Sequence, residues 1–496
     1  MSTTGPERKP RRDDLLEAEI VALDRRGQSV GTSGEYAVRL RGGVPGDRWR
    51  IRVRKRRGQR IDADRSELLE AGATRVEPRC AHAGSCGGCS FQQVAYPAQL
   101  EAKRALVREA FAGAELPGGE LAGGALTDLP DVEPVLGCAE PWAYRNKMEF
   151  SFGSRRWITE DEPEGVDASF GLGLHPPGFF SKVIDLQECS ILFPGGEAIL
   201  RSARELALEQ ELPPWDVREH TGFLRHLVVR HGAHTNEIMV NVVTSAEDPE
   251  RFGPYATGLL ARHPEITTLV QTIHSGVASV SYGERELTHH GPGHIEEELL
   301  GLRFRISARS FFQTNTAQAE RLFEVVREEA ALTGGEVVYD LYSGAGTIAL
   351  VLASAVGEVL AFEQVPEAVA DARRNAERNG VENVRFFEGD VLAELDAAVA
   401  EGSDLPRPDV CIVDPPRAGL HPKVPPKLLA LAPERLVYVS CNVHNGAQDI
   451  AKLVAGGYRV TRIRPVDLFP HTPHVECVVT LERVAAPEAP EDPAAD

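Results

Sequence analysis

From Val337 to Arg483, short apolar runs alternate with helically spaced segments, and few architectures accept that pattern. VVYDLYS, VLAFE, VRFFEGD, VCIVDPP, LVYVSCN and CVVTLER read as strands. IALVLAS and residues 367–380 carry helical spacing between them. The reading is an α/β, doubly wound sheet. Sheets of this kind bind ligands outside the carboxyl ends of their strands. Chemistry is therefore to be sought where strands end, at Asp340, Glu363, Asp390, Asp414 and Cys441.

The first strand turns through Gly344 and Gly346 into a helix. A Cβ there would obstruct a ligand, and the helix N-terminus offers free N–H groups. Such a turn alone also fits a dinucleotide-binding loop or a plain structural turn. Here the loop reads G-A-G, Glu363 ends the next strand in the place of a ribose-bridging acid, and Gly389-Asp390 and Asp414-Pro415-Pro416-Arg417 end two more strands. The set resembles the class I S-adenosylmethionine-dependent (Rossmann-like) methyltransferases. That resemblance implies that Tyr342, Gly344 and Gly346 line the methionine side, that Glu363 takes the ribose, and that Asp390 lies near adenine.

Asp-Pro-Pro-Arg is similar to a motif of amine-methylating enzymes, but an arginine stands where those carry an aromatic residue. An N-methyltransferase is the alternative reading. Cys441 points elsewhere. A cysteine ending a buried strand is ordinarily core, yet this one lies between Ser440 and Asn442, and Glu476 opens the last strand among apolar neighbours. A carboxylate in that setting has a task. Carbon 5 of uracil is too weak a nucleophile to accept a methyl group unaided. A thiolate adding to carbon 6 activates it, and a base must then remove the carbon 5 proton. Cys441 suits the first role and Glu476 the second.

The remainder is organised in segments. Residues 1–12 are expected to be disordered, 13–72 to form a small β-barrel, 73–305 a central α+β domain, 306–484 the methyltransferase domain, and 485–496 a disordered acidic tail. A Gly-rich loop is expected over 113–125. In RWRIRVRK, Arg48, Arg50, Arg52 and Arg54 alternate with Trp49, Ile51 and Val53, so one face packs and the other presents guanidinium groups. The net charge of −20 argues against a wholesale nucleic-acid coat, but a local basic stripe still binds RNA. No apolar run approaches the roughly 18 residues of a membrane span, and the charged start has no signal core. The expectation is a cytoplasmic monomer with no membrane contact.

DLYSGAGTIAL, FFQTN, DPPRAG, SCN and HTPHVECV, in this order and spacing, resemble the RNA uridine-5-methyltransferase family. The resemblance covers most of the chain and includes PWAYRNKMEFSFG. It implies Cys441 as nucleophile, Glu476 as base, Gln313 on the cofactor and Asp414 in the site, and it makes residues 13–72 similar to the family's RNA-binding TRAM barrel. The target base must leave its stack to reach a cysteine at a sheet edge, so a loop or flipped uridine is expected. A third possibility is a non-catalytic RNA-binding or iron–sulfur protein on a decayed methyltransferase fold.

Cys80, Cys86 and Cys89 stand as C-x5-C-x2-C among 8 cysteines, which fits a metal site lacking one ligand rather than a disulfide scaffold. Zinc is the default for clustered thiolates, with His82 a spare ligand. A subset of the resembled family instead binds a 4Fe-4S cluster through such a motif plus a distant cysteine, here Cys189 in DLQECSIL. That subset acts mostly on ribosomal RNA, which favours rRNA over tRNA as substrate. Cys138, Cys411 and Cys477 flank apolar residues and read as core.

Overall fold

Alternation in the N-terminal segment closes into a barrel. Strands β1 (Leu15–Leu23), β2 (Ser29–Ser33), β3 (Tyr36–Leu40), β4 (Arg48–Arg57) and β5 (Arg60–Glu70) pair in the order β1-β2-β3-β5-β4 and close on themselves. Ala18, Ile20, Val38, Leu40, Trp49, Ile51, Val53 and Ile61 fill the inside, which removes about 25 cal/mol of apolar exposure cost per Å² buried. β4 shows the expected two-residue period, with Trp49, Ile51 and Val53 inside and the arginines outward. This computed structural model describes residues 8–114, 126, 128–159 and 162–484. Residues 1–7, most of the Gly-rich loop and the acidic tail lie outside that range. Of the segment 1–12, Pro10 is buried and its carbonyl accepts a hydrogen bond from Arg56.

The central part builds a seven-stranded sheet. Its strands are β6 (Lys147–Gly153), β7 (Gly171–Leu174), β8 (Ile184–Asp185), β9 (Leu224–His231), β10 (Ile238–Thr244), β11 (Ile266–Ile273) and β12 (Arg285–His290), in the order β12-β11-β10-β9-β6-β7-β8. Helices Gly196–Glu209 and Pro249–Arg262 bring Ile199, Leu200, Phe252 and Tyr255 into the same core as Phe150, Leu227 and Val240 of the strands. A hairpin of β13 (His294–Leu299) and β14 (Leu302–Ser307) follows.

The second seven-stranded sheet holds β15 (Val337–Leu341), β16 (Glu358–Glu363), β17 (Val384–Glu388), β18 (Val410–Val413), β19 (Arg435–Ser440), β20 (Tyr458–Val466) and β21 (Glu476–Arg483). The order is β17-β16-β15-β18-β19-β21-β20. β15 to β19 are parallel, and β21 enters antiparallel between β19 and β20. The order reverses at β15, next to β18, which places the switch point between the Gly-rich turn and Asp414. Helices Thr347–Ala353, Pro366–Arg378, Val391–Val399, Val424–Leu431 and Val443–Ala455 are the connections.

By internal contacts the chain forms two units that are discontinuous in sequence. One holds the chain up to Leu106, then Gly137–Ala319 and Asp467–His474; the other holds Val107–Leu136, Glu320–Val466 and the chain from Val475. Cys138, Cys411 and Cys477 are all buried.

Candidate active site

Strand register brings the two candidate side chains, Cys441 and Glu476, to one end of the sheet. Antiparallel pairing sets Ser440 of β19 opposite Cys477 of β21. One residue further along, Cys441 follows the end of β19 and Glu476 opens β21, at the same end of the sheet. Cys441 is half-buried and stands just before the helix Val443–Ala455. Burial, then the charges of Glu476 and Asp414, push its thiol up to about 11, while Arg417 pulls the other way. Glu476 is 6% exposed, and burial together with Asp414 raises its carboxyl to about 8, again opposed by Arg417. Burial raises Asp414 to about 7. A thiol, two carboxyls that hold protons near neutrality and one guanidinium thus influence one another in the second unit.

The loop bearing Asp414 and Arg417 is tied to the helix that follows Cys441. The Arg417 carbonyl accepts from the amides of Asn442 at 3.1 Å and Asn445 at 3.0 Å. Buried Asp449 accepts from the Leu420 N–H at 2.7 Å and from the Tyr438 hydroxyl at 3.0 Å. Gly419 (φ +85°) passes so close to that carboxylate that a Cβ would stand 2.7 Å from it. Sequence reading missed Asn442, Asn445 and Asp449 as site-builders, although a buried acid on a helix face was the available signal.

The cofactor edge is equally defined. Tyr342, a non-glycine residue, sits at φ +65°, followed by Gly344 at +56° and Gly346 at +78°. Strain of this kind concentrates at ligand sites. A Cβ on Gly346 would meet Phe386 at 2.9 Å, so the turn must be glycine for packing as well as for backbone angle. Glu363 accepts from the N–H groups of Gly344 and Val365, both at 2.9 Å, and so fixes the loop. Asp390 is the N-cap of Val391–Val399 and accepts from the Ala393 N–H at 3.1 Å. Burial and the charge of Asp390 raise the Tyr342 hydroxyl to about 12. Gln313 belongs to the first unit, where its carbonyl accepts from the Asn146 amide.

Asp340 is the site residue that sequence reading named only as a strand end. It is wholly buried; one oxygen accepts from the Ala349 N–H at 3.0 Å, and the other has no partner among the described residues. Burial, Asp414 and Glu363 drive its carboxyl well above the usual range. Three acids that sense one another's charge at neighbouring strand ends suit a ligand with positive charge, such as the sulfonium and ammonium of S-adenosylmethionine.

In the first unit, Cys80, Cys86, Cys89 and Cys189 converge: the thiols of Cys86 and Cys189 each feel the charges of Cys80 and Cys89. Burial dominates and holds Cys86 and Cys189 up at about 12. Each sulfur also has hydrogen-bond donors, from Gly88 to Cys86, from Gln92 to Cys89, and from Ile191 and Leu192 to Cys189, with the His82 and Ser190 N–H groups on Cys80. His82 is engaged by the Gln187 N–H at 3.2 Å. Among the described residues no three or more His, Cys, Asp or Glu side chains are gathered tightly enough to hold a metal ion.

The sheet order, the strained glycine turn and the acids at the strand ends define a class I methyltransferase. The family model described as tRNA (Uracil-5-)-methyltransferase matches residues 295–484. An RNA methyltransferase of Chlorobaculum tepidum is 38% identical over 480 residues, 95% of this chain and 97% of its own. One from Porphyromonas gingivalis is 38% identical over 94% of this chain and 99% of its own. The crystal structure of Pyrococcus abyssi tRNA (uracil-54, C5)-methyltransferase with S-adenosyl-L-homocysteine is similar with a TM-score of 0.71 at 29% identity, covering 94% of this chain and 99% of that one. The chain belongs to the S-adenosylmethionine-dependent RNA (uracil-5-)-methyltransferase family.

Proposed function

We propose that this enzyme methylates carbon 5 of a uridine in RNA through a covalent adduct between Cys441 and the uracil ring, with Glu476 as the base. The observation that carries the reading is the placing of Cys441 and Glu476 at one end of neighbouring strands, each sensing Asp414 and Arg417.

The Cys441 thiolate adds to carbon 6. A C–S bond forms, and the electron pair of the 5,6 double bond moves to the ring as an enolate. S-adenosylmethionine, as substrate, supplies the methyl group: carbon 5 takes it as the sulfonium–methyl bond breaks, and S-adenosylhomocysteine leaves. Glu476 then removes the carbon 5 proton. The released pair rebuilds the double bond and expels the Cys441 thiolate, leaving the proton on Glu476. A carboxyl raised to about 8 binds that proton well at neutral pH, which is what a base for a weak carbon acid requires. Asp414, near 7, is placed to receive the proton that the thiol sheds on attack. Asp340, Glu363 and the Gly344–Gly346 turn would hold the cofactor, with Tyr342 and Asp390 as further contacts.

RNA containing 5-fluorouridine tests this directly, because carbon 5 then carries no removable proton. A denaturing gel should show a covalent complex with the wild type and none with Cys441→Ser. A complex with the serine variant would remove Cys441 from the role.

The substrate we propose is ribosomal RNA, following the iron–sulfur subset that the cysteine motif resembles. The similarity to the Pyrococcus abyssi enzyme supports transfer RNA as a second reading. Nucleoside mapping of both RNAs from cells lacking the protein decides between them: 5-methyluridine should vanish from rRNA, and its loss from tRNA alone would reassign the substrate. On this reading the enzyme acts as a cytoplasmic monomer, with residues 13–72 as a TRAM barrel on the RNA. Among the described residues no helix is long and apolar enough to cross a membrane.

The resemblance of the cysteine motif favours a 4Fe-4S cluster over zinc at these four cysteines. In a cubane each thiolate binds a different iron, so the sulfurs need not crowd one ion, and N–H donors to sulfur suit such a site. Bound there, the cluster would tie Cys189 to the Cys80–Cys89 loop; methyl transfer itself uses no electrons.

A further inference from the structure

Between β20 and β21 the chain runs through Asp467, Leu468, Phe469, Pro470 and His471 before it reaches Glu476. Loop carbonyls are ordinarily left to water. Here five in succession accept from residues of the first unit. The Asp467 carbonyl takes the Gln318 amide at 2.9 Å and that of Leu468 the Asn315 amide at 3.1 Å. Phe469 takes the Lys103 ammonium at 2.9 Å and Pro470 the Tyr144 hydroxyl at 3.1 Å. His471 takes the N–H groups of Ser90 at 2.8 Å and Phe91 at 3.0 Å.

The side chains are held as firmly. In the helix Tyr96–Ala112, Tyr96, Gln99 and Lys103 fall on one face. Lys103 pairs with Asp467 at 2.5 Å, both side chains fully buried, and Tyr96 donates to the other Asp467 oxygen at 2.9 Å. Gln99 accepts from the His471 N–H at 2.9 Å and meets its Nδ1 at 3.1 Å. The His471 ring lies 3.8 Å from Trp142 in a stack, and its Nε2 faces the Pro141 carbonyl at 3.0 Å, so Nε2 carries the proton and Nδ1 accepts from Gln99. His471 itself sits at φ +66°. A buried ion pair adds little net stability, so a loop fixed at this expense is better explained by what it holds in place.

We propose that Lys103, Tyr144, Asn315 and Gln318 are positioning residues that fix the backbone leading into Glu476 and thereby set the proton-removal step, leaving formation of the adduct untouched. This rests on the role given to Glu476 above. Two variants test it, Lys103→Met and the milder Tyr144→Phe, which deletes a single hydrogen bond. On uridine RNA, kcat should fall about tenfold for the first and about threefold for the second, with KM within about twofold, and methylated covalent adduct should accumulate on the unmodified substrate. Single-turnover trapping on 5-fluorouridine RNA should stay within about twofold of wild type. Equal losses in trapping and turnover, or wild-type kcat in Tyr144→Phe, would overturn the proposal; if Lys103→Met does not fold, Tyr144→Phe decides. Should the wild type itself fail to trap 5-fluorouridine RNA, the adduct mechanism fails and not the cradle alone.

Discussion

Glu476, proposed above as the base, costs the fold stability at neutral and alkaline pH. An exposed glutamate titrates near 4.3, whereas burial and Asp414 raise this one to about 8. The folded protein therefore binds the proton more tightly than the unfolded chain. The stabilisation is complete below the unfolded value and is lost as pH climbs toward and through 8. Glu476→Gln should thus stop turnover and leave the adduct trapped on ordinary RNA, yet raise stability at pH 8 by about 2–4 kcal/mol. At pH 4 the gain should vanish. Thermal melts of both proteins at the two pH values check it, and a variant less stable at pH 8 would mean that the carboxylate is compensated in the fold. The Cys441 thiol, held up at about 11 by burial and its acidic neighbours, adds a kinetic counterpart. With Asp414 proposed to take the thiol proton on attack, Asp414 near 7 and Glu476 near 8 must both be ionised in the free enzyme, so kcat/KM should rise between about pH 6 and 9. A flat profile there would show that thiolate supply is not limiting.

The strand β4 shows what pattern reading gains and loses at the scale of an element. Alternation correctly separated Trp49, Ile51 and Val53 from the arginines. It did not show that Arg48 is bridged to Glu17 and Glu70, or that Arg50 pairs with Glu67, because those acids come from the neighbouring strands β1 and β5. Arg52 and Arg54 make no ion pair among the described residues and remain available to phosphate. Arg52→Ala with Arg54→Ala should lower RNA affinity and reduce the slope of log K against log salt by about 1–2, while Arg48→Ala changes the slope little. Filter binding across a salt series measures both; equal effects would place the RNA elsewhere. β5 itself was illegible, since RIDADRSELLE buries little beyond Ile61 and Ala63 and is a strand only because β3 and β4 flank it. The Gly344–Gly346 turn was legible because left-handed angles favour glycine, while Asp390, an acid directly before a helix, carried a readable N-cap signal that was not drawn on.

At the scale of the molecule, contiguous domains were the natural reading, and the division into two units departs from it through residues 107–136 and 467–474. The loop 467–474 carries no compositional mark of its crossing, because it is defined by donors hundreds of residues earlier, such as Lys103 and Tyr144. The same long-range closure explains why three cysteines were readable as a motif while the fourth rested on resemblance. Cys189 joins them from beyond β8, with its N–H held by Glu197 at 2.6 Å. If the four bind a 4Fe-4S cluster, anaerobically purified protein should be brown and contain iron and sulfide in equal amounts. Cys189→Ser should lose most of both and melt several degrees lower, since a bound cluster stabilises the fold that binds it. Cys138→Ser should keep its iron, because that thiol donates instead to the Glu140 carbonyl at 3.0 Å. Zinc in the purified protein, or full iron in Cys189→Ser, would return the site to the single-ion reading or remove Cys189 from it.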